Sequence, residues 1–408
     1  MPTVAVLGTL DTKGTEIGFL AEQVRRNGCE ALVIDLGILK PPTFEPDVSR
    51  NTVAAMAGES ARSLAKAGDR GQAVDAMTRG IARLVPKLYG AGRIQAVVGM
   101  GGSAGTTMAT AAMRALPMGL PKVMVSTVAG GDVAAFVGAK DITMIPSIVD
   151  ISGLNRISRK VIVQAAAAVS AMTLARVPDS DDRPLIAASM FGNTTGCVEA
   201  ARARLESEGY EVLVFHATGA GGRTMESLVS SGLISGVLDV TTTELADELA
   251  GGVMSAGSER LGAAASSGVP AVVAPGCLDM VNFWAPDSVP EKYRGRRFYR
   301  HNPNVTLMRT TPDENRELGV RLARMVNASR GQVAVYLPLG GISVVSRPGQ
   351  PFAWPEADAA LFKAIRDELR PDIPVRELAC DINDPQFARG VAEGLLEMLA
   401  RARPPRRA

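Results

Sequence analysis

The stretch VAVLGTLDTKGTEIGFLAEQVRRNGCEALVI (4–34) lies over LIAASMFGNTTGCVEAARARLESEGYEVLVF (185–215) without a gap, at a constant offset of 181 residues. In both, an apolar run leads to a polar turn, a helical stretch, a glycine (Gly28, Gly209) and a second apolar run. Continuous Val/Ile/Leu runs read as strands covered on both faces, and joining two of them in parallel requires a crossover helix. Opening both halves in this way restricts the chain to α/β architecture. Few residues are identical between the two stretches, so what they share is a β-α-β design rather than a demonstrated repeat.

The alternation continues. Apolar runs at 94–99, 122–127 and 142–149 in the first half, and at 235–240, 270–275, 305–310, 332–338 and 373–378 in the second, predict strands. Helical stretches lie near 51–66, 72–88, 105–115, 154–175, 223–231, 312–328, 356–370 and 384–401. The fold expected is α/β with two Rossmann-like, doubly wound domains and mostly parallel sheets. VPDSDDRP (177–184) sets acidic residues between two prolines, which is linker chemistry. The domains are therefore drawn as 1–178 and 184–402, with a basic tail at 403–408.

Composition narrows the function class. A net charge of +2 includes four arginines among the last eight residues, so the body of the chain lacks the basic excess of a nucleic-acid binder. One cluster, YRGRRFYRH (293–301), interleaves arginine with aromatics, but a solvated or anion-facing loop explains it equally. Four scattered cysteines without a C-x-x-C pair and only two histidines argue against a structural zinc site. The start, MPTVAVLGTL, has no basic n-region, and the uncharged run 161–175 is short for a membrane span. A reducing cytoplasm, no membrane partner and a homodimer are expected.

Ligands of doubly wound sheets bind beyond the carboxyl ends of the strands, so the turns there are where chemistry should be legible. MGGSAGTT (100–107) leads into a helix, and its glycines and hydroxyls make an anion site from Gly101, Gly102, Ser103, Gly105 and Thr106, unless they serve only a tight turn. GTLDTKGT (8–15) approaches the P-loop pattern with its final Gly-Lys order reversed, which argues against a true P-loop. Lys13 still stands where a phosphate or carboxylate would be met, and Asp11 where a ribose hydroxyl or hydrated Mg²⁺ would be. The competing reading makes Thr9 or Asp11 a helix N-cap and leaves Lys13 in solvent. Asp132 and Asp150 stand as further candidate caps.

The second half carries seven polar turns with Asn193, Thr194, Thr195, His216, Glu226, Glu244, Asp279, Asn282 and Arg309, which predicts a polar substrate pocket facing the cleft between domains. His216, Glu226 and Asp279 are the acid/base candidates. Asn193, Thr194, Thr195, Glu244, Asn282 and Arg309 are the substrate-binding candidates, with Arg309 or an arginine from 294–300 pairing with an anionic group. Cys277 lacks a visible base partner, and no G-x-S-x-G or G-x-G-x-x-G signature is present.

Together GTLDTKGTE, GGSAGT, GDVAAFVGAKDITMIPSIVDISGLNRISR, FGNTTGCV, FHATGAGGRTMESL, DVTTTELADELAGGV and PGCLDMVNFW make the chain resemble a family of microbial proteins related to the N-terminal ATP-binding region of the plant tobamovirus-resistance protein. The resemblance runs over roughly 3–400 and implies two Rossmann-like domains and ATP as cofactor, met by Gly8, Thr9, Lys13, Gly101, Gly102, Ser103, Gly105 and Thr106. The plant protein continues into a further barrel-like domain, so its antiviral role is not expected here.

Three functions compete. The first is an ATP-using enzyme, with Mg²⁺ if phosphoryl groups move, acting on a small polar substrate such as a hydroxy acid or sugar acid. The second is a nucleotide-independent hydrolase or lyase working through Glu226 or His216. The third is a regulatory binding protein stabilised by ATP.

Overall fold

The computed structural model describes residues 1–176, 178 and 182–402. Residues 177 and 179–181 of the expected linker, and the tail 403–408, lie outside the described residues. The chain divides into two compact units, Met1–Asp179 and Ser180–Ala408.

The first unit runs β1 (Thr3–Gly8), α1 (Leu10–Arg26), β2 (Glu30–Asp35), α2 (Arg50–Met56), α3 (Ala61–Ala67), α4 (Arg70–Gly90), β3 (Ala96–Gly101), α5 (Ser103–Arg114), β4 (Lys122–Ser126), α6 (Ala134–Val137), β5 (Thr143–Pro146) and α7 (Arg156–Leu174). Its sheet is wholly parallel, in the order β2-β1-β3-β4-β5. The chain goes from β1 outward to β2, then returns past β1 to β3, so the winding reverses between β1 and β3.

Alternation along β1 explains why the run is uniformly apolar. Ala5 and Leu7 join a core with Met77 and Ile81 of α4 and Ala109 and Met113 of α5, while Val4 and Val6 join a second core with Leu20 and Val24 of α1 and Val161 and Ala165 of α7. Each fully buried Val or Leu side chain contributes about 1.5–3 kcal/mol, so both faces of the sheet are paid for by one strand. Helix α7 begins at a capping box, Asn155 with Ser158. It is long and apolar enough to cross a membrane by length and composition alone, but its Val161–Val169 face is buried in the second core.

The second unit runs β6 (Leu185–Met190), α8 (Thr195–Glu206), β7 (Glu211–His216), α9 (Ala220–Ser230), β8 (Ile234–Thr241), α10 (Glu244–Ala250), α11 (Gly262–Ser267), β9 (Ala271–Gly276), β10 (Met280–Phe283), β11 (Phe298–Asn302), β12 (Val305–Arg309), α12 (Pro312–Asn327), β13 (Val333–Pro338), α13 (Pro355–Glu368), β14 (Val375–Leu378) and α14 (Pro385–Ala402). Six strands form a parallel sheet ordered β7-β6-β8-β9-β13-β14. The first three strands of both units thus take the same order, second-first-third, and the shared β-α-β design extends to topology.

One strand expectation needs correction. The run at 305–310 is not part of the parallel sheet: β12 is the centre of a separate antiparallel sheet, β10-β12-β11. Only a tight turn, closed by Asn304 N–H donating to Asn302 Oδ1 at 2.8 Å, separates β12 from β11. A connection that short permits antiparallel pairing alone.

Candidate functional site

Strands β1 and β3 are neighbours, yet the helices that follow them cover opposite faces of the sheet, α1 with α7 and α5 with α4. Their turns therefore part, and a cavity of about 400 Å³ opens at the carboxyl ends. Thr9, Asp11, Lys13, Gly101, Gly102, Ser103 and Gly105, all expected from sequence, line it.

The glycine turn supplies the anion end. Helix α5 has Gly102 at its N-cap and no side chain capping its first N–H groups. A Cβ on Gly101 would stand 2.8 Å from Gly105 Cα, so the turn itself requires that glycine. Gly102 is different, with φ −75° and no atom nearer than 3.7 Å to a built Cβ, and Gly105 likewise has only the Met100 carbonyl at 3.7 Å. Glycine inside a helix costs about 1 kcal/mol relative to alanine, and at Gly105 no close contact offsets it; Gly102 stands at the N-cap, where glycine is accepted. What the two missing side chains leave is open backbone beside the cavity.

On the α1 side the residues are partly committed. Thr9 is the N-cap but its hydroxyl pairs with Thr12 Oγ1 at 2.9 Å instead of capping the helix. Asp11 Oδ2 accepts from Leu39 N–H at 2.7 Å, which fastens the loop after β2. Lys13 sits at a kink in α1 (φ −130°, ψ 18°), and its ammonium donates to the Ile151 carbonyl. Two expected residues do not line the cavity. Gly8 gives room to Ile17, whose Cδ1 would be 2.1 Å from a Cβ there, and Thr106 is fully buried with its hydroxyl 2.7 Å from Ser126 Oγ.

Sequence reading missed the remaining wall. Ile38, Ala73, Val74, Met77 and Met108 form an apolar side, with Arg70 beside them. Arg70, Ala73, Val74 and Met77 follow the i, i+3, i+4, i+7 spacing of one face of α4. The Arg70 guanidinium is exposed and has no hydrogen-bond or ion-pair partner among the described residues. The neighbouring residues gave no signal, since Asp69 caps α4 by accepting the Gln72 N–H at 3.0 Å and so offsets the arginine at the first helical position.

The second-unit candidates are spent largely on one another. Arg260, unremarked in the sequence, is 1% exposed and meets three carboxylates: Asp239 through Nη2 to Oδ1 at 2.7 Å and through Nη1, Glu244 through Nε to Oε2 at 2.6 Å, and Glu226 through Nη1 to Oε1 at 3.0 Å. Glu244 Oε1 also accepts from Gly219 and Gly222 N–H, and Glu226 from Leu261 and Ala263 N–H, so each carboxylate ties down the start of a helix. Burial pushes the Glu226 carboxyl above its ordinary range, against the pull of Arg260.

Thr194 is buried against Thr241 Oγ1 at 2.8 Å, and Thr195 bonds the Phe191 carbonyl. The buried Asn193 has Met280 Sδ at 3.7 Å, while its carbonyl accepts from Asn383 Nδ2. Asn282 donates to Asp247 Oδ2 at 2.6 Å. Arg309, fully buried, donates to the Phe352 carbonyl, Thr310 Oγ1 and Asp358. Of the arginines at 294–300, Arg296 pairs bidentately with Glu314 and Arg297 stacks on Trp354 at 4.8 Å.

His216 is exposed and packs on Phe191 with ring centroids 5.4 Å apart. Asp279 is enclosed: Ser343 Oγ donates to Oδ2 at 2.7 Å, Oδ1 has no donor, and burial lifts the carboxyl to about 6 despite Arg309. Cys277 adopts φ 60° and burial pushes its thiol well above the ordinary range, which removes it as a nucleophile. No group of three or more metal-ligating side chains occurs among the described residues.

Residues 2–178 match the model described as Uncharacterised protein family (UPF0261) N-terminal domain, and residues 183–399 that of the family's C-terminal domain. A UPF0261 protein of Clostridium tetani is 46% identical over 398 residues, covering 97% of this chain and 98% of its own. The ToMV susceptible protein tm-1(GCR26) of Solanum lycopersicum is 37% identical over 422 residues, covering 97% of this chain but 56% of its own length. The expected kinship with the plant tobamovirus-resistance family is thereby borne out. Among solved structures, a UDP-N-acetylglucosamine 2-epimerase is 11% identical and covers 99% of this chain and 98% of its own, at a TM-score of 0.25 that carries no argument. Both domain models matched in order along one chain, and relatives alike over nearly its whole length, make this protein a member of the UPF0261 family.

Proposed function

We propose that the unit Met1–Asp179 binds ATP in the cavity between β1 and β3, as part of an enzyme that acts on a small polar substrate. The observation that carries this is the pair Gly102 and Gly105: a Cβ would meet no close contact at either, and both leave backbone N–H groups open at a helix start with no side-chain cap. Phosphates would lie there, the adenine against Ile38, Val74, Met77 and Met108, and Arg70 would meet the outer phosphates. Mg²⁺ would arrive with the nucleotide, since Asp11 is engaged with Leu39. The reading places the protein in the cytoplasm, in keeping with four free cysteines, and as a homodimer.

The test is calorimetric titration of the full chain with ATP, ADP and AMP, with and without Mg²⁺, beside Gly102→Asp. Affinity that rises with phosphate number and disappears in the variant supports the assignment. Silence from the wild type sinks it. Sedimentation with and without ATP separates an enzyme from an ATP-stabilised binding protein, which would change its oligomeric state without turnover.

A further inference from the structure

A second cleft, of about 480 Å³, lies at the carboxyl ends of β4 and β5, and Thr127 lines both it and the β1/β3 cavity. Its floor is built on an unusual backbone. Ile148 has φ 65° while Val149 N–H donates to the Ser147 carbonyl at 2.7 Å, a three-residue turn of the strained positive-φ kind. For a β-branched residue that conformation is a genuine outlier, and Ile148 is 73% exposed, so no burial of its side chain compensates. Ser147 holds the turn, with its N–H on the Ser126 carbonyl and its hydroxyl on the Val149 carbonyl.

The groups around the cleft offer both donors and acceptors, since the Thr127, Gly130 and Ile148 carbonyls have no donor among the described residues. The main-chain N–H groups of Gly130, Ile148 and Asp150 have no acceptor among the described residues, and the Thr127 hydroxyl has no side-chain partner among them. The single acidic group is Asp150, whose Oδ1 takes the Ile151 N–H and whose Oδ2 is left over. Free main-chain donors suit a carboxylate, and the spare carboxylate oxygen suits a hydroxyl. Of the second-unit residues expected to bind substrate, Asn193, Thr194, Glu244, Asn282 and Arg309 are buried and bonded within the fold, while Arg294 and Arg300 line a separate cavity of about 390 Å³ with no carboxylate-binding turn of this kind among its described residues.

We infer that the β4/β5 cleft is the subsite for a small hydroxy acid, with its carboxylate on the main-chain N–H groups and its hydroxyl on Asp150. The assignment takes its substrate class from the proposed two-ligand reading, but it stands on the first unit alone. Adjacent parallel strands are about 4.8 Å apart, so β3 and β5 bring the two ligands within roughly 10 Å of each other.

Saturation-transfer NMR on the full chain tests this with D-glycerate, L-lactate and glycolate as probes, glycerol as the neutral comparison, and no nucleotide. Glycerate is expected to bind, and to bind about tenfold more weakly in Asp150→Ala and in Thr127→Val, each of which removes a polar partner at an exposed position. Circular dichroism of both variants should match the wild type. Absence of binding by every acid, equal binding of glycerol, or unchanged affinity in Asp150→Ala overturns the inference. Glycerate binding to a protein that ignores ATP supports the cleft and removes only the nucleotide reading.

Discussion

Asp11 Oδ2 accepts the Leu39 N–H at 2.7 Å, so the first turn of α1 holds the loop that forms one lip of the β1/β3 cavity. Asp11→Ala is expected to cost about 1 kcal/mol of stability or less, because the bond is exposed, yet to weaken ATP binding about fivefold by freeing the lip. Titration of ATP against the variant, with denaturant unfolding alongside, separates the two effects. A loss of stability with ATP affinity unchanged would detach this loop from the site.

Arg70 supplies an unpartnered cation at the start of the α4 face that lines the cavity. Arg70→Ala should weaken ATP about tenfold while leaving AMP within about twofold, since a charge-assisted contact to outer phosphates has no counterpart in the monophosphate. Equal losses for both nucleotides would move Arg70 away from the phosphate chain.

Arg260 balances Asp239, Glu244 and Glu226 at a fully enclosed point. Removing the cation strands three carboxylates, so Arg260→Met is expected to destabilise the protein by about 3–5 kcal/mol. Urea unfolding gives the figure, and a change under about 1 kcal/mol would mean the network is relaxed by water.

Asp247 is lifted by burial to about 7, against hydrogen bonds from Asn282 and Met254. Its folded value lies above the ordinary 3.8, so between about pH 4 and 7 the folded chain holds more protons than the unfolded one. Stability should therefore fall as pH rises through that window, by at most about 4 kcal/mol from this group. Asn282 Oδ1 has no donor, and a turned amide would accept from either a protonated Asp247 or an asparagine in its place. Asp247→Asn should flatten the pH dependence of the unfolding midpoint between pH 4 and 7; an unaltered slope assigns that dependence to other groups.

Local pattern alone determined a large part of this protein. Two-sided apolar runs such as Val4–Leu7 can be satisfied only between helices, and a glycine-rich turn before a helix announces its open N–H groups from neighbouring residues. That is why the α/β class and seven cavity residues from Thr9 to Gly105 were legible. The tertiary structure decided what depends on partners distant in the chain. Glu226 looks like a catalytic acid and Glu244 like a substrate-binding group until Arg260 arrives from 34 and 16 residues away, and Arg309 looks like a substrate clamp until Asp358 meets it across 49. Arg70 carries the opposite lesson, since nothing in its neighbours shows that α4 brings it to a turn 30 residues further on. A side chain's chemistry is written in its own residue, but whether that chemistry is free for a ligand depends on what burial brings against it.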